Sequence, residues 1–175
     1  MFARVFVLVL LVTCWVAACT SGSKSNKNSQ SAPSQPSLDA KDSEGATALL
    51  RAVNSGDTIE IKRLVEAGAN VNAESNSGVT PLSNAAGMGN KEAVELLIKK
   101  GAEVNHRTSG NFTPLMQAAL VGQTEIVKIL LDAGADATVK DTGGRTAATY
   151  AEEANHPDLA KLLKGKAATQ TAGKK

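Results

Sequence analysis

The chain of 175 residues has few of the side chains on which enzyme chemistry and covalent cross-links depend. Its two cysteines, Cys14 and Cys19, lie near the start, so the rest of the chain can form neither a disulfide nor a thiolate metal site. Its two histidines, His106 and His156, are too far apart in sequence to indicate a catalytic pair. The G-x-S-x-G, G-x-G-x-x-G and P-loop motifs of hydrolases and nucleotide-binding proteins are absent. We therefore expect no enzyme, no metal, no cofactor and no small-molecule substrate.

The chain also has no large excess of charge and few aromatic side chains. Its 19 basic and 17 acidic residues give a net charge of +2, which excludes a general nucleic-acid footprint. Aromatic residues make up 3% of the chain, and Phe112 and Tyr150 are the only ones after residue 18. Binding energy concentrates on aromatic and apolar side chains at a surface, so these two are candidates for a binding site.

What the chain does contain is one unit repeated every 33 residues. Threonines mark the repeat at Thr47, Thr80, Thr113 and Thr146. Leucine, alanine and glycine recur with the same spacing, at Leu64, Leu97, Leu130 and Leu163, at Ala52, Ala85, Ala118 and Ala151, and at Gly68, Gly101 and Gly134. A fixed period of this length is the signature of a solenoid.

Each unit carries the signals of two short helices. In the second unit Thr80-Pro81 indicates a helix start and Gly89 indicates its end, and Gly101 ends the next helix. The apolar stripes between these signals are Leu82, Ala85 and Ala86, then Ala93, Val94, Leu96, Leu97 and Ile98. One such helix pair cannot bury its apolar face alone, so neighbouring units must stack.

The second and third units read GVTPLSNAAGMGNKEAVELLIKKGAEVNH and NFTPLMQAALVGQTEIVKILLDAGADATV. They resemble the ankyrin repeat family, whose signatures G-x-T-P-L-H-x-A-A-x-x-G and L-L-x-x-G-A-D-V-N cover residues 42–165. The units are about 42–74, 75–107, 108–140 and 141–165. The resemblance implies an all-α solenoid of stacked helix-turn-helix units with β-hairpin-like connecting turns. It also implies a concave surface that binds a protein partner.

The end units depart from the repeat in a way that stacking requires. Glu60 and Arg63 of the first unit, and Lys164 of the last, replace apolar residues of other units, which favours solubilising caps over eroded internal repeats. The connection at 137–140, part of GADATV, is expected to be irregular. The histidine that the family favours after T-P-L is absent, so its hydrogen bonds must be made otherwise or lost; its place is taken by Leu50, Ser83, Met116 and Thr149.

The start of the chain is typical of an export signal. Residues 1–18 combine a positive start with an uncharged apolar run of 14 residues, which falls short of the roughly 20 that a membrane-spanning helix needs. Val16-Ala17-Ala18-Cys19 resembles a lipobox, where bacterial lipoproteins are acylated on the cysteine, so Cys19 is the predicted lipidation site. Ordinary secretion with cleavage near Ala18, or an uncleaved anchor, is the alternative. Thr20 and Ser21 resemble the residues that sort lipoproteins to the outer membrane.

Two further segments lie outside the repeats. Residues 19–41 combine the lipidated cysteine with a stretch rich in serine, asparagine and glutamine, which predicts a flexible linker with a span of roughly 25 Å. Residues 166–175 form a basic tail. A solvated end is favoured there over a contact with anionic lipid or cell wall.

The predicted binding site lies on the side of the first helix of each unit that faces away from the buried stripe. Apolar residues at these nominally exposed positions indicate a binding patch, with two basic residues in the adjoining turns. An equally weighted alternative is that Leu120 and Val121 simply cover the helix pair. The candidate residues are Met88, Phe112, Leu120, Val121 and Tyr150, with Arg107 and Lys140.

Together these features predict a lipid-anchored, monomeric, non-enzymatic protein-binding module of the bacterial cell envelope, held at the outer membrane and facing the periplasm. Its expected partner is an envelope protein, and its expected contact with the membrane is through the lipid. The alternative is an immunity or protective protein that inhibits or stabilises an envelope enzyme or toxin.

Overall fold

The structure, a computed structural model, describes residues 38–173. The predicted signal peptide, Cys19 and most of the predicted linker therefore lie outside the described residues. Residues 38–173 contain eight helices and no strand, and none of these helices is long and apolar enough to cross a membrane. The helices are α1 Ala48–Ser55, α2 Thr58–Glu66, α3 Pro81–Met88, α4 Lys91–Lys99, α5 Pro114–Val121, α6 Thr124–Asp132, α7 Ala147–Glu153 and α8 Pro157–Ala172.

The repeated threonine starts the first helix of every unit. In α3 the Thr80 hydroxyl accepts a hydrogen bond from the backbone N–H of Ser83, and Pro81 occupies the first turn, where its missing N–H costs nothing. Thr47, Thr113 and Thr146 cap α1, α5 and α7 in the same way. The predicted start of the first helix is therefore confirmed in all four units.

Residues with a left-handed backbone end these helices and form the turns. Gly89 ends α3 with φ 74°, as its place after the apolar stripe predicts. Asn111 has φ 59° at the turn position that glycine occupies in the other units. Asparagine is the side chain that best tolerates this conformation, so the substitution keeps the turn.

The core lies between the stacked helix pairs. Each first helix packs against the first helix of the next unit, in the order α1, α3, α5, α7, and the second helices α2, α4 and α6 pack behind them. Ala85, Ala86, Ala118 and Ala119 are fully buried, because their small side chains let the helices approach closely. Leu97 and Leu130 are also fully buried, at the matching position of α4 and α6. The predicted all-α solenoid is confirmed.

The connecting turns are hairpin-like, although no strand forms in residues 38–173. In the second unit the N–H of Ser75 donates to the carbonyl of Val79, and the Ser75 hydroxyl accepts from the N–H of Val79. Thr108 and Phe112 make the same two bonds in the third unit. The first and last units use aspartates, Asp42 and Asp141, at this position.

Two kinds of residue occupy the positions after T-P-L at which the resemblance leads one to expect histidine. Ser83 and Thr149 each close a reciprocal capping pair with the threonine at the start of their helix. Leu50 and Met116 are instead buried among apolar neighbours, at 2% and 1% exposure. The side chain is therefore polar and hydrogen-bonded at two of these four positions. At the other two it is apolar and needs no hydrogen bond.

Side-chain amides link successive units. The Asn72 amide donates to the carbonyl of Gly101 at 3.3 Å, and its oxygen accepts from the N–H of Glu103 at 2.9 Å. Asn105 makes the same pair of bonds to Gly134 and Asp136, at 3.0 and 2.8 Å. We call these two-ended contacts the amide clamps. Each clamp satisfies backbone groups of the following connection, which would otherwise need water.

Both ends of the domain extend the clamp pattern beyond the predicted boundaries. Asp39, one repeat length before Asn72, accepts from the N–H of Asn70 at 2.8 Å, and Leu38 packs against the core. Leu38 and Asp39, in the segment 19–41 that the composition assigns to a linker, therefore belong to the folded domain. At the other end, α8 continues to Ala172, so residues 166–172 of the predicted tail are helical.

The helical extension of α8 supplies the clamp of the third connection, which the sequence predicts to be irregular at 137–140. Thr138 stands where Asn72 and Asn105 stand, and its N–H and hydroxyl bond to Asp136 in its own turn. Gln170 reaches back from α8 instead, donating to the carbonyl of Ala135 at 2.8 Å and accepting from the N–H of Ala137 at 2.9 Å. The last connection is thus clamped by a residue from the end of the domain.

Candidate protein-binding surface

We call the side of the domain that carries the turns and the exposed faces of the first helices the concave side. Between the first and second units this side forms an open groove of about 410 Å³. Glu44 and Ser77 come from the turns, whereas Asn54, Asn84 and Met88 come from α1 and α3. The groove therefore combines an apolar floor with amide, hydroxyl and carboxylate groups.

Three of the predicted patch residues are exposed apolar side chains. Met88 is 48% exposed at the end of α3, and Leu120 and Val121 are 40% and 46% exposed at the end of α5. Val121 stands at the same position in its unit as Met88, which lines the groove, so both belong to the concave side. Their exposure argues against the alternative that Leu120 and Val121 simply cover the helix pair.

Tyr150 is not an exposed patch residue, contrary to its sequence-based assignment. It is 6% exposed, and its hydroxyl donates a hydrogen bond to a carboxylate oxygen of Asp141. Phe112 is half-buried and meets the Tyr150 ring edge-on, with centroids 5.1 Å apart. The Arg145 guanidinium lies 4.5 Å from the centroid of the same ring. The two aromatics therefore join the third and fourth units together.

The sequence-based reasoning missed Asp141 and Arg145, which organise this cluster. Asp141 is 8% exposed, and its carboxylate accepts from the Arg145 side chain at 3.0 Å and from the Arg145 backbone N–H at 2.7 Å. One sequence signal indicates this cluster: Asp141 is an acid at a position where the two internal units have Ser75 and Thr108. An acid there needs a cation nearby, and Arg145 follows four residues later.

These contacts shift the ionisation of the cluster. The hydrogen bond from the Tyr150 hydroxyl, with further bonds from Arg145, lowers the pKa of Asp141 from 3.8 to about 2. Burial, and then the bond to Asp141, raises the pKa of Tyr150 to about 12. Asp141 is therefore ionised at neutral pH and Tyr150 is a neutral donor.

We expect Tyr150→Phe to reduce the acid sensitivity of the domain. A carboxyl group whose pKa is lower in the folded state stabilises the fold above pH 3.8, and this stabilisation is lost as the pH falls through about 2. Removing the hydroxyl keeps the ring contacts and raises the pKa of Asp141. Urea titrations from about pH 5 to about pH 2 should therefore show a smaller loss of unfolding free energy in the variant than in the wild type. Parallel curves would contradict this assignment.

Arg107 and Lys140 are both exposed, at the ends of the second and third units, in the turns that lead into the next unit. Arg107 donates to the side-chain oxygen of Asn111 at 3.4 Å, and the Asn111 amide donates to the carbonyl of Lys140. The two predicted basic residues are thus connected through one asparagine, and both guanidinium and ammonium groups remain open to solvent.

The histidines have structural surroundings. The His106 ring lies 3.2 Å from the carbonyl of Gly78 and 3.6 Å from carboxylates of Glu74 and Glu103. His156 stands at the start of α8, where its ring lies close against Gly122. Among the described residues, no group of three or more His, Asp or Glu side chains could hold a metal ion.

Stacked helix pairs with a turn-lined concave side define a helical-repeat solenoid. Two family models match the chain: ankyrin repeats in three copies over residues 15–108, and ankyrin repeats in many copies over residues 97–151. The chain belongs to the ankyrin repeat family, and its repeats form a protein–protein interaction module. No curated protein matches it.

Proposed function

We propose that this protein is a lipid-anchored, non-enzymatic adaptor or scaffold of the bacterial cell envelope. The observation that carries the binding function is the group of exposed apolar side chains, Met88, Leu120 and Val121, on the concave side of a continuous stack. Apolar side chains exposed together mark protein contacts. A stacked repeat core supports them on helices, so little ordering is needed when a partner binds.

The proposed anchor rests on the sequence before the folded domain. Residues 1–18 have the charge and length of an export signal, and the cysteine after small residues at 17 and 18 fits lipidation specifically. Each buried CH₂ of an acyl chain contributes about 0.8 kcal/mol, so two or three chains would hold the protein at a membrane. Cys19 would then be followed by a serine-rich stretch that lets the domain reach a partner in the periplasm, from the outer membrane.

We expect Cys19→Ala to abolish lipidation and leave the domain folded. The described residues 38–173 include no cysteine, so no contact of the stack among them depends on one. Metabolic labelling with a radioactive fatty acid, compared between wild type and variant, measures the lipid directly. Cys14→Ala is the matched control, because Cys14 lies inside the apolar run and should keep the label. A labelled Cys19→Ala protein would remove the proposed anchor.

We expect the combined change of Met88, Leu120 and Val121 to serine to abolish partner capture in cells. All three are 40–48% exposed, so the substitutions remove apolar contact area without opening the core. In-cell crosslinking followed by mass spectrometry measures the loss. The control is Ile59→Ser on α2, because Ile59 is 84% exposed and lies on a second helix, behind the concave side. Crosslinks that survive the triple change but not the control would place the binding surface elsewhere.

A further inference from the structure

In each of the two central units, the segment from the tip of the turn through the first helix carries no charge, and Glu74 and Arg107 stand immediately before these segments. Residues 75–90 and residues 108–123 contain no Asp, Glu, Lys or Arg. The matching segments of the end units, 42–57 and 141–156, contain four charged residues each. Since all four segments occupy the same place in the repeat, the difference is between the middle and the ends of the concave side.

The absence of charge is confined to the concave side of these units. Their second helices are strongly charged, with acids and bases exposed along α4 and α6. Stacking therefore does not explain the neutral segments, because the same two units expose charges freely on the opposite side. The exposed charged residues of the second helices are Lys91, Glu92, Glu95 and Lys99 in α4, and Glu125, Lys128 and Asp132 in α6.

Ion pairs neutralise several of the charges at the two ends of the concave side. Arg51 of α1 lies 3.0 Å from the Asp42 carboxylate. Arg145 lies 3.0 Å from Asp141 and 3.6 Å from Glu153 of α7. An arriving charged side chain would have to compete with these existing pairs.

Amide side chains take the place of charge in the middle. Asn84 of α3 donates to the side-chain oxygen of Asn54 of α1. Gln117 of α5 packs over Gly87 of α3, where an added Cβ would lie 2.8 Å from the Gln117 side chain. Amides both donate and accept, which suits the N–H and C=O groups of a polypeptide backbone.

We propose that the central concave band, defined by Asn84, Met88, Gln117, Leu120 and Val121, binds an uncharged polypeptide segment with aliphatic or aromatic side chains. This rests on the proposed function and names the chemistry of its partner. A charged side chain over Met88, Leu120 and Val121 would lose water and find no counter-charge within residues 75–90 or 108–123, which is unfavourable. The carboxylate of Glu44 lies in the adjoining groove but belongs to the first unit. An apolar side chain gains contact with Met88, Leu120 and Val121, while Asn84 and Gln117 satisfy the backbone of the segment.

A displayed library of random peptides about 15 residues long tests this chemistry. The full chain, purified in detergent and held on beads, is used for selection. We expect the selected peptides to be enriched in aliphatic and aromatic residues and depleted in charged residues relative to the starting library. Binding of one selected peptide, followed by fluorescence polarisation, should change less than about twofold between about 50 and about 500 mM NaCl, because no charge pair is involved.

Variants then locate the site. Leu120→Asp with Val121→Asp should weaken the selected peptide by about 30-fold or more, which is the effect of losing an apolar hot spot. Ile59→Asp on α2 is the matched control and should bind as the wild type does. Gln117→Glu provides a second variant, with a single charge added and no apolar group removed, and should weaken binding at least several-fold. Circular dichroism confirms that each variant is folded.

The outcomes separate this inference from the proposed function. One contrary outcome is the selection of charged peptides whose binding depends strongly on salt and is lost in the aspartate variants. That outcome would overturn the inference that the partner segment is uncharged, and it would still support protein binding on this side. Selection of uncharged peptides that bind equally well to the aspartate variants would overturn the band as their site. Failure to select any peptide above the bare beads would overturn the proposed function as well.

Discussion

Replacing Leu97 with alanine should lower the free energy of unfolding by about 2–5 kcal/mol, the range for truncating a buried leucine. Leu97 is fully buried in α4, where the stack of units leaves little room for the site to collapse. Because each unit is stable only against its neighbours, a weakened second unit lowers the stability of the whole stack. The midpoint of urea unfolding measures the effect.

The control for Leu97→Ala is Leu120→Ala, which removes the same atoms from a side chain that is 40% exposed. This change should cost well under half of the Leu97 effect, since part of the side chain is already in water. If both variants had the wild-type midpoint, Leu97 would not be a core residue. If both variants lost equal stability, Leu120 would be buried against the domain in solution. It would then not belong to the central concave band.

Replacing Gly45 with alanine should be more destabilising than the same change at Gly144, although both residues occupy one position of the repeated turn. Gly45 has φ 76° and Gly144 has φ 80°. An alanine at either position lowers the free energy of unfolding by about 1–2 kcal/mol, because its side chain disfavours the left-handed backbone. A Cβ on Gly45 would lie 2.6 Å from the backbone nitrogen of Asn76, whereas a Cβ on Gly144 would meet no atom within 4 Å beyond its chain neighbours.

The difference between these two glycines measures how tightly successive turns are stacked. The Asn76 N–H donates to the carbonyl of Glu44, so a methyl group at residue 45 must push this hydrogen-bonded contact apart. Overpacking of this kind adds about 1–3 kcal/mol, which brings the total for Gly45→Ala to about 2–5 kcal/mol. Urea unfolding of both variants gives the comparison. Equal losses would mean that the first two turns move apart without cost.

The helices could be predicted from sequence because each unit repeats its own start and stop signals. A threonine before an apolar stripe and a glycine after it are local signals for the start and the end of a helix, and they recur at fixed spacing. Leu97 was predicted to be buried because its position is leucine in every unit. Met88, Leu120 and Val121 could be assigned to the exposed side because helical periodicity places them opposite the buried alanines.

Contacts that join different units could not be predicted in this way. Helical spacing puts Tyr150 at the same position as Asn84 and Gln117, yet Tyr150 is buried because Phe112, Asp141 and Arg145 surround it. Asp39 and Gln170 lie in segments whose composition indicates a linker and a tail. Their role depends on which backbone groups the fold leaves open, and that becomes visible only when the units are stacked.

The way Gln170 closes the last connection bears on how such a chain can change length. A fifth unit added after α8 would meet Ala135 and Ala137 already bonded to Gln170, and would first have to displace that helix. A unit duplicated between residues 75 and 140 would bring its own amide clamp and leave Asp39 and Gln170 at the two ends. Gene duplication and protein engineering alike should therefore lengthen this solenoid from the middle, and each inserted unit would widen the uncharged part of its concave side.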